Sequence, residues 1–434
     1  MDIASFSSLL TPSGQAILAE AAGSDLSDDA LLTTASRLRE RHPADLVAAA
    51  LTQVRLRDRA RAKFGADAAR MYFTPAGLEQ ATRASVAAYR ARRFAAFTES
   101  AAFTESATLT ESATLTQAGS TLELGCGIGG DLIARARAGV PGTGVELDPL
   151  TAAVARANVE AFGLGRLASV REGDATREDP DGYGTVFADP GRRTARGRVF
   201  DPRSYEPPLD TVLELAGRAA GACVKVAPGI PHEVVPDGAE AEWVSVGGEV
   251  KEAALWLGEL AGSVRRRATL ITERGQGGAE VNVETLTPEP GLGDPAVREW
   301  GRYLYEPDGA VIRASLVAEV AARVNGGLAD PRIAYVTSDE LVQTPFAAAY
   351  EVEDVLGFSL KRLKAELRRR EVGVLTVKKR GSAVDVDRLR RDLGFARKAP
   401  RGAKELTLVL TRVGTAPIAL LTRPAGHRTL NQSQ

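Results

Sequence analysis

The chain has 434 residues, of which 44% are apolar and 26% charged, so its length suggests two to four domains and its composition excludes both a single small fold and a globally disordered polymer. The formal net charge of −1 hides a segregation: residues 357–434 hold 19 basic and 6 acidic residues (+13), whereas residues 1–356 hold 36 and 50 (−14). Such an asymmetry points to a polyanion-binding end or to a solvated basic face.

In chain order, residues 1–96 place apolar side chains at helical spacing and read as a helical region. Pro12, Pro43 and Pro75 punctuate it, with Thr11 and Thr74 placed to cap helix starts. Between 97 and 120 four near-copies of a hexapeptide follow one another (FTESAA, FTESAT, LTESAT, LTQAGS), and 97–118 are expected to form a low-complexity linker. From 119 to 349 short apolar runs alternate with helical stretches, which predicts an α/β domain with a mainly parallel sheet. Strands are expected at 121–124, 142–147, 168–171, 185–188 and 222–227, helices at 131–138, 150–162 and 209–219, and edge strands at 242–247, 252–257 and 266–272. Residues 350–425 form a second pattern, a basic α+β module with helices at 359–370 and 385–393 and strands at 374–377, 405–411 and 416–422.

Two cysteines, Cys126 and Cys223, cannot build a disulfide framework, and His42, His232 and His427 are too scattered for a zinc site, so no metal is expected. The N-terminus lacks a basic segment followed by an apolar one, and no run of about 18 apolar residues occurs. A cytoplasmic protein without a membrane partner is the expectation.

The strongest local signal is Glu123-Leu124-Gly125-Cys126-Gly127-Ile128-Gly129-Gly130-Asp131, between a strand and a helix. Glycines there permit positive φ and let the backbone approach a ligand at the helix N-terminus. Glu146 stands at the end of the second strand, where an acid accepts hydrogen bonds from ribose hydroxyls. Its neighbour Asp148 is either the ribose acid or the cap of the next helix. Asp174, after the third strand, is placed to receive an adenine amino proton or else begins a turn. Asp189-Pro190-Gly191-Arg192-Arg193 follows the fourth strand. Ligands of open α/β sheets gather at the carboxyl ends of the strands, so these positions converge on one crevice.

In this order and spacing, the four motifs resemble the class I S-adenosylmethionine-dependent methyltransferases over roughly residues 122–257. The resemblance implies a Rossmann-like methyltransferase sheet, here flanked by an N-terminal helical region and a small C-terminal domain. It implies S-adenosyl-L-methionine as cofactor, with Gly125, Gly127, Gly129 and Asp131 in its cradle, Glu123 toward the methionine ammonium, Glu146 or Asp148 at the ribose and Asp174 at the adenine. Asp189, Pro190 and Arg192 then form the catalytic corner, and Arg193 and Arg196 clamp phosphates or belong to a solvated loop. Methyltransferases acting on exocyclic amines carry D/N-P-P-aromatic at this corner. The second proline and the aromatic are missing here, which leaves the target atom open. The corner is also similar to that of RNA uracil-5 methyltransferases, whose nucleophilic cysteine after the fifth strand is absent. In-line transfer to a nitrogen, in preference to an oxygen, is expected.

The C-terminal module resembles the THUMP-like domain of a poorly characterised bacterial methyltransferase family, on Phe358–Lys364, Val377–Gly381 and Leu408–Val413. Residues 63–74 and 77–83 look like that family's helical N-terminal part. This resemblance implies structured RNA, such as transfer or ribosomal RNA, as partner, with Lys361, Lys378, Lys379 and Arg380 as contacts. A non-catalytic RNA-binding protein that keeps the cofactor fold, or a methyltransferase acting on protein or small molecules, are the alternatives.

Overall fold

The computed structural model describes residues 1–106, 119–191, 193–194, 197–198, 204–275, 280–395 and 402–426. The N-terminal periodicity becomes helices α1 (Ile3–Leu9), α2 (Pro12–Ala22), α3 (Leu31–Arg39), α4 (Ala44–Phe64), α5 (Pro75–Gln80) and α6 (Ala84–Ser106). Thr11 and Thr74 cap α2 and α5 by accepting the Gly14 and Gly77 N–H groups, with Pro12 and Pro75 opening each helix. The linker expected from residue 97 begins instead as helix, because α6 continues to Ser106. Residues 107–118 of that expectation lie outside the described residues.

Next come β1 (Thr121–Leu124), α7 (Gly130–Arg137), β2 (Gly142–Glu146), α8 (Pro149–Ala161), β3 (Ala168–Glu172) and β4 (Thr185–Ala188). A small hairpin of β5 (Arg193–Thr194) and β6 (Gly197–Arg198) precedes α9 (Leu209–Ala216) and β7 (Gly221–Val226). Then follow β8 (Glu240–Val246), β9 (Glu249–Gly258), β10 (Arg266–Arg274) and β11 (Glu280–Leu286). Their sheet has the order β11-β10-β8-β9-β7-β4-β1-β2-β3. From β3 to β7 the pairings are parallel, and β9 enters antiparallel between β7 and β8. The edge strand β11 was not expected from the sequence: of its residues only Leu286 is buried, so it lacks the apolar signal of a core strand.

The remaining elements are β12 (Tyr303–Pro307), α10 (Gly309–Arg313), α11 (Val317–Arg323), β13 (Gly327–Leu328), β14 (Val336–Ser338), β15 (Ala347–Gly357), α12 (Leu360–Arg369), β16 (Val372–Lys379), α13 (Val386–Leu393), β17 (Lys404–Val413) and β18 (Ala416–Pro424). They form a sheet of order β13-β14-β12-β15-β18-β17-β16. Residues 303–338, expected to go with the first sheet, join the second one, because β12 pairs antiparallel with β15 from Tyr303↔Glu351 to Pro307↔Ala347. Leu363 and Leu367 on α12 and Leu389 and Leu393 on α13 bury one stripe of each helix in its core, which turns their basic faces outward.

By contacts the chain divides into two compact units. The first holds Met1–Val244, Lys251–Arg265 and Ile271–Val283, and the second holds Ser245–Val250, Arg266–Leu270 and Glu284–Gln434. The N-terminal helices thus belong with the parallel strands, and Phe6, Leu9, Phe64 and Phe73 share one apolar cluster with Ile128 and Val154.

Candidate functional site

Strand β1 pairs with β2 on one side and β4 on the other, so the order reverses at β1 and a crevice opens beyond its carboxyl end. The glycine turn occupies that point. Gly125, Gly127 and Gly129 have φ of +77°, +54° and +83°, values at which a side chain strains the backbone. Gly125 and Cys126 donate their N–H groups to the Val145 carbonyl at 3.0 and 2.9 Å, which fastens the turn to β2. Gly144 is required there for space: a Cβ on it would stand 2.7 Å from the Cβ of Cys126.

Glu146 ends β2 beside the turn, its Oε2 accepting the Gly127 N–H at 2.9 Å and its Oε1 the Asp148 N–H at 3.0 Å. A carboxylate has about four acceptor positions, so ribose hydroxyls still find lone pairs on it. A Cβ on Gly127 would meet no atom within 4 Å, which leaves open space over the turn. Across the crevice, the Asp189 carbonyl lies 3.7 Å from the position of a Cβ on Gly125. Open space, bare backbone and the Glu146 carboxylate fit a nucleoside cofactor.

Other expected cofactor contacts have partners of their own. The Glu123 carboxylate is buried against Arg135, whose guanidinium lies 4.7 Å from the centre of the Phe187 ring and 5.3 Å from that of Phe94. Burial pushes the Glu123 carboxyl up to about 8, with Arg135 opposing. Asp131 is buried and paired with Arg90. Burial would raise its carboxyl, but Arg90, Lys225 and Arg135 outweigh that and hold it below the ordinary value. Asp148 caps α8 through the Thr151 N–H and hydroxyl, and Asp174 caps the short turn Ala175–Arg177 through Thr176. The structure therefore places Glu146 at the turn, gives Glu123, Asp131 and Asp148 local roles in pairing and capping, and leaves the Asp174 side chain, which caps through Oδ1, 40% exposed.

At the end of β4, Pro190 is buried while the Asp189 side chain is 23% exposed. Its Oδ2 accepts a hydrogen bond of 2.5 Å from Nζ of Lys225, a residue of β7 that sequence reasoning did not assign to the site. Lys225 Nζ also donates to Thr82 Oγ1 at 3.0 Å and stands 3.8 Å from Glu252 Oε2. Burial works against its charge, yet Asp189, Glu252 and Asp131 outweigh burial and the opposing Arg90, and its pKa lies above the ordinary lysine value. Arg90 on α6 joins the other Glu252 oxygen to Asp131. Tyr205, also missed, is buried with its hydroxyl accepting the Ala227 N–H at 3.1 Å, just beyond β7. The one available signal was a lysine inside the apolar run 222–227. Arg192 and Arg196 lie outside the described residues, and Arg193 is described only as backbone of β5.

In the second unit, Lys361 is exposed on α12, and Lys379 is exposed and donates to the Val384 carbonyl. Arg380 is half-buried, 5.6 Å from the centre of the Tyr335 ring. Lys378, expected to be an RNA contact, is instead tied to Glu306 at 2.5 Å and lies 5.6 Å from the centre of the Tyr350 ring.

Family models match at both ends: a domain of unknown function (DUF8688) over residues 2–60 and a THUMP domain-like family over residues 347–424. Two curated relatives, from Mycobacterium tuberculosis strains CDC 1551 and H37Rv, are described as uncharacterised S-adenosylmethionine-dependent methyltransferases. Each is 34% identical over 359 residues, which is 81% of this chain and 87% of the relative. A crystal structure assigned as a methyltransferase from Porphyromonas gingivalis W83 superposes with a TM-score of 0.67 at 22% identity, covering 95% of this chain and 98% of that one.

Proposed function

Because the chain belongs to the S-adenosylmethionine-dependent methyltransferases, we propose that it methylates a nitrogen of structured RNA, with Asp189 receiving the acceptor. The observation that carries this reading is the Asp189 carboxylate, partly open at the strand-order reversal and anchored from below by a buried ammonium.

Gly125, Gly127 and Gly129 would hold the cofactor by backbone approach, Glu146 its ribose and Asp174 its adenine amino group. When bound, S-adenosylmethionine supplies an electrophilic methyl whose transfer to a nitrogen lone pair leaves a neutral thioether and one surplus proton on that nitrogen. Asp189 accepts the N–H of the acceptor, turns its lone pair toward the methyl, and then relays the surplus proton to water. The Pro190 carbonyl serves as a second acceptor for the amine. Lys225 keeps its proton, and so takes no part as a base.

The THUMP domain-like match and the +13 of residues 357–434 support RNA as the acceptor. About five phosphate contacts would give a log-affinity against log-salt slope of roughly −3.5 to −4.5. No helix among the described residues is long and apolar enough to cross a membrane, and a cytoplasmic site of action belongs to the same proposal.

Incubation with methyl-labelled cofactor and total cellular RNA tests the reading. Label should enter RNA, disappear on ribonuclease digestion and reside on a base nitrogen. Label that survives ribonuclease and runs with protein would overturn it.

A further inference from the structure

We infer that Lys225 is the positioning residue of the acceptor site, holding the Asp189 carboxylate toward the crevice from a mount built by the N-terminal helices. This rests on the role proposed above for Asp189.

Every residue of β7 is buried, and Lys225 is 3% exposed. An ammonium in such a place is expensive unless each of its protons meets an acceptor. It has a hydrogen bond to Asp189, another to Thr82, and the Glu252 carboxylate at 3.8 Å. Only one of these partners reaches solvent: the Asp189 side chain is 23% exposed, that of Glu252 4%. Lys225 claims Oδ2 of Asp189 and thereby fixes which edge of the carboxylate faces the crevice.

The mount is itself held from distant parts of the first unit. Thr82, between α5 and α6, accepts from Lys225 and hydrogen-bonds Asp131. Glu252 on β9 is gripped by Arg90 of α6, whose other nitrogen grips Asp131 at the start of α7. Asp131, Arg90, Glu252, Lys225 and Asp189 thus form one relay of alternating charge from the cofactor turn to the acceptor corner. A core that needed only stability would do as well with apolar side chains of similar volume. A relay whose last member opens into the crevice serves orientation.

Two measurements on the full chain test this. The sequence has nine lysines, and a buried ammonium exchanges slowly, so lysine-labelled nitrogen NMR should show, beside that of Lys63, which three carbonyls hold, a protected ammonium signal that vanishes in Lys225→Met. That signal should move in Asp189→Asn, and an unmoved signal overturns the inference. In methyl transfer, Lys225→Met should lower kcat on the order of 100-fold, with acceptor KM and cofactor Kd within about threefold of the parent. Lys225→Arg should restore part of the rate, and Lys225→Met with Asp189→Asn should be no slower than Asp189→Asn alone. A loss shared equally by the Met and Arg variants, in step with weaker cofactor binding and a lower unfolding transition, would mean a merely structural lysine. Should the wild-type label go to protein, the RNA reading falls while the same cycle, measured on that acceptor, still decides the role of Lys225.

Discussion

The first unit carries surface ion pairs such as Arg55 with Asp28, but among the described residues it also holds pairs in its core with both partners buried, which the second unit does not. Arg90, Arg135 and Lys225 expose 3%, 2% and 4% of their side chains, and each joins elements that only the fold brings together. Arg370, Lys378, Arg412 and Arg423 expose 16%, 33%, 27% and 47%. Their partners, Glu353 and Asp354, Glu306, Asp330 and again Glu353, lie before residue 357 in the same unit. Part of the +13 is therefore answered at home. What stays available to a polyanion is a narrower set, including Lys361, Arg362 and Arg368 on α12, which are exposed without an ion-pair partner among the described residues. Buried pairs fix geometry, and exposed ones set a screened, salt-sensitive surface.

The sharpest way to break this contrast is Arg90→Ala, which strands the Asp131 and Glu252 carboxylates in the core. Removing one partner of a buried pair costs about 3–5 kcal/mol, so the first unit should unfold at markedly lower denaturant. A loss below about 1 kcal/mol would place Arg90 with the surface pairs instead.

Cofactor affinity should respond next. Glu146→Ala removes charged-acceptor hydrogen bonds worth roughly 1.5–3 kcal/mol, and should weaken S-adenosylmethionine binding about 10- to 100-fold by calorimetry. Gly127→Ala should also weaken it, since the methyl would enter the open space over the turn at a left-handed φ that itself costs about 1–2 kcal/mol.

A smaller effect concerns pH. The Glu123 carboxyl, ordinarily near 4.5, is raised to about 8 by burial. The folded chain keeps that proton where the unfolded chain has released it, so the contribution to stability is full below about 4.5 and is lost as pH rises through about 8. Glu123→Gln, neutral throughout, should flatten the stability profile across that window in urea titrations at a series of pH values.

The smallest stability effect belongs to the second unit. Lys378→Ala should cost less than about 1 kcal/mol. Replacing Lys361 and Arg362 together by alanine should leave the unfolding transition in place while making the log-salt slope of RNA binding shallower by roughly 1–2. If Lys378→Ala reduces that slope as much, the ion pair with Glu306 opens to receive RNA and the distinction drawn above fails.

The parts of the site legible in sequence were those written contiguously: the glycine turn, Glu146 at the end of β2 and Asp189 after β4. The relay was not, because it joins residues far apart along the chain, such as Arg90 with Glu252 and Thr82 with Lys225, and no local period encodes such pairings. Glu123 shows the opposite failure. Its motif was plain, yet its carboxylate turns to Arg135, a residue one helix away that the motif does not include. For Asp148, a ribose contact and a helix cap were both compatible with the sequence, and the hydrogen bonds to Thr151 show the cap. The second sheet was read short because β13 and β14 have only two and three residues, and β12 is recognisable only by its pairing with β15.

The close fit of Gly144 under Cys126 has a practical consequence. The Cys126 thiol is 6% exposed and its pKa is raised well above the ordinary value by burial and by Glu123 and Glu146. Burial disfavours the thiolate, the species that alkylating reagents attack, so Cys126 should react chiefly when the turn lifts off β2. The rate at which Cys126 is alkylated is then a clock for opening of the cofactor turn, and a ligand that settles over Gly127 should slow that clock in proportion to its occupancy.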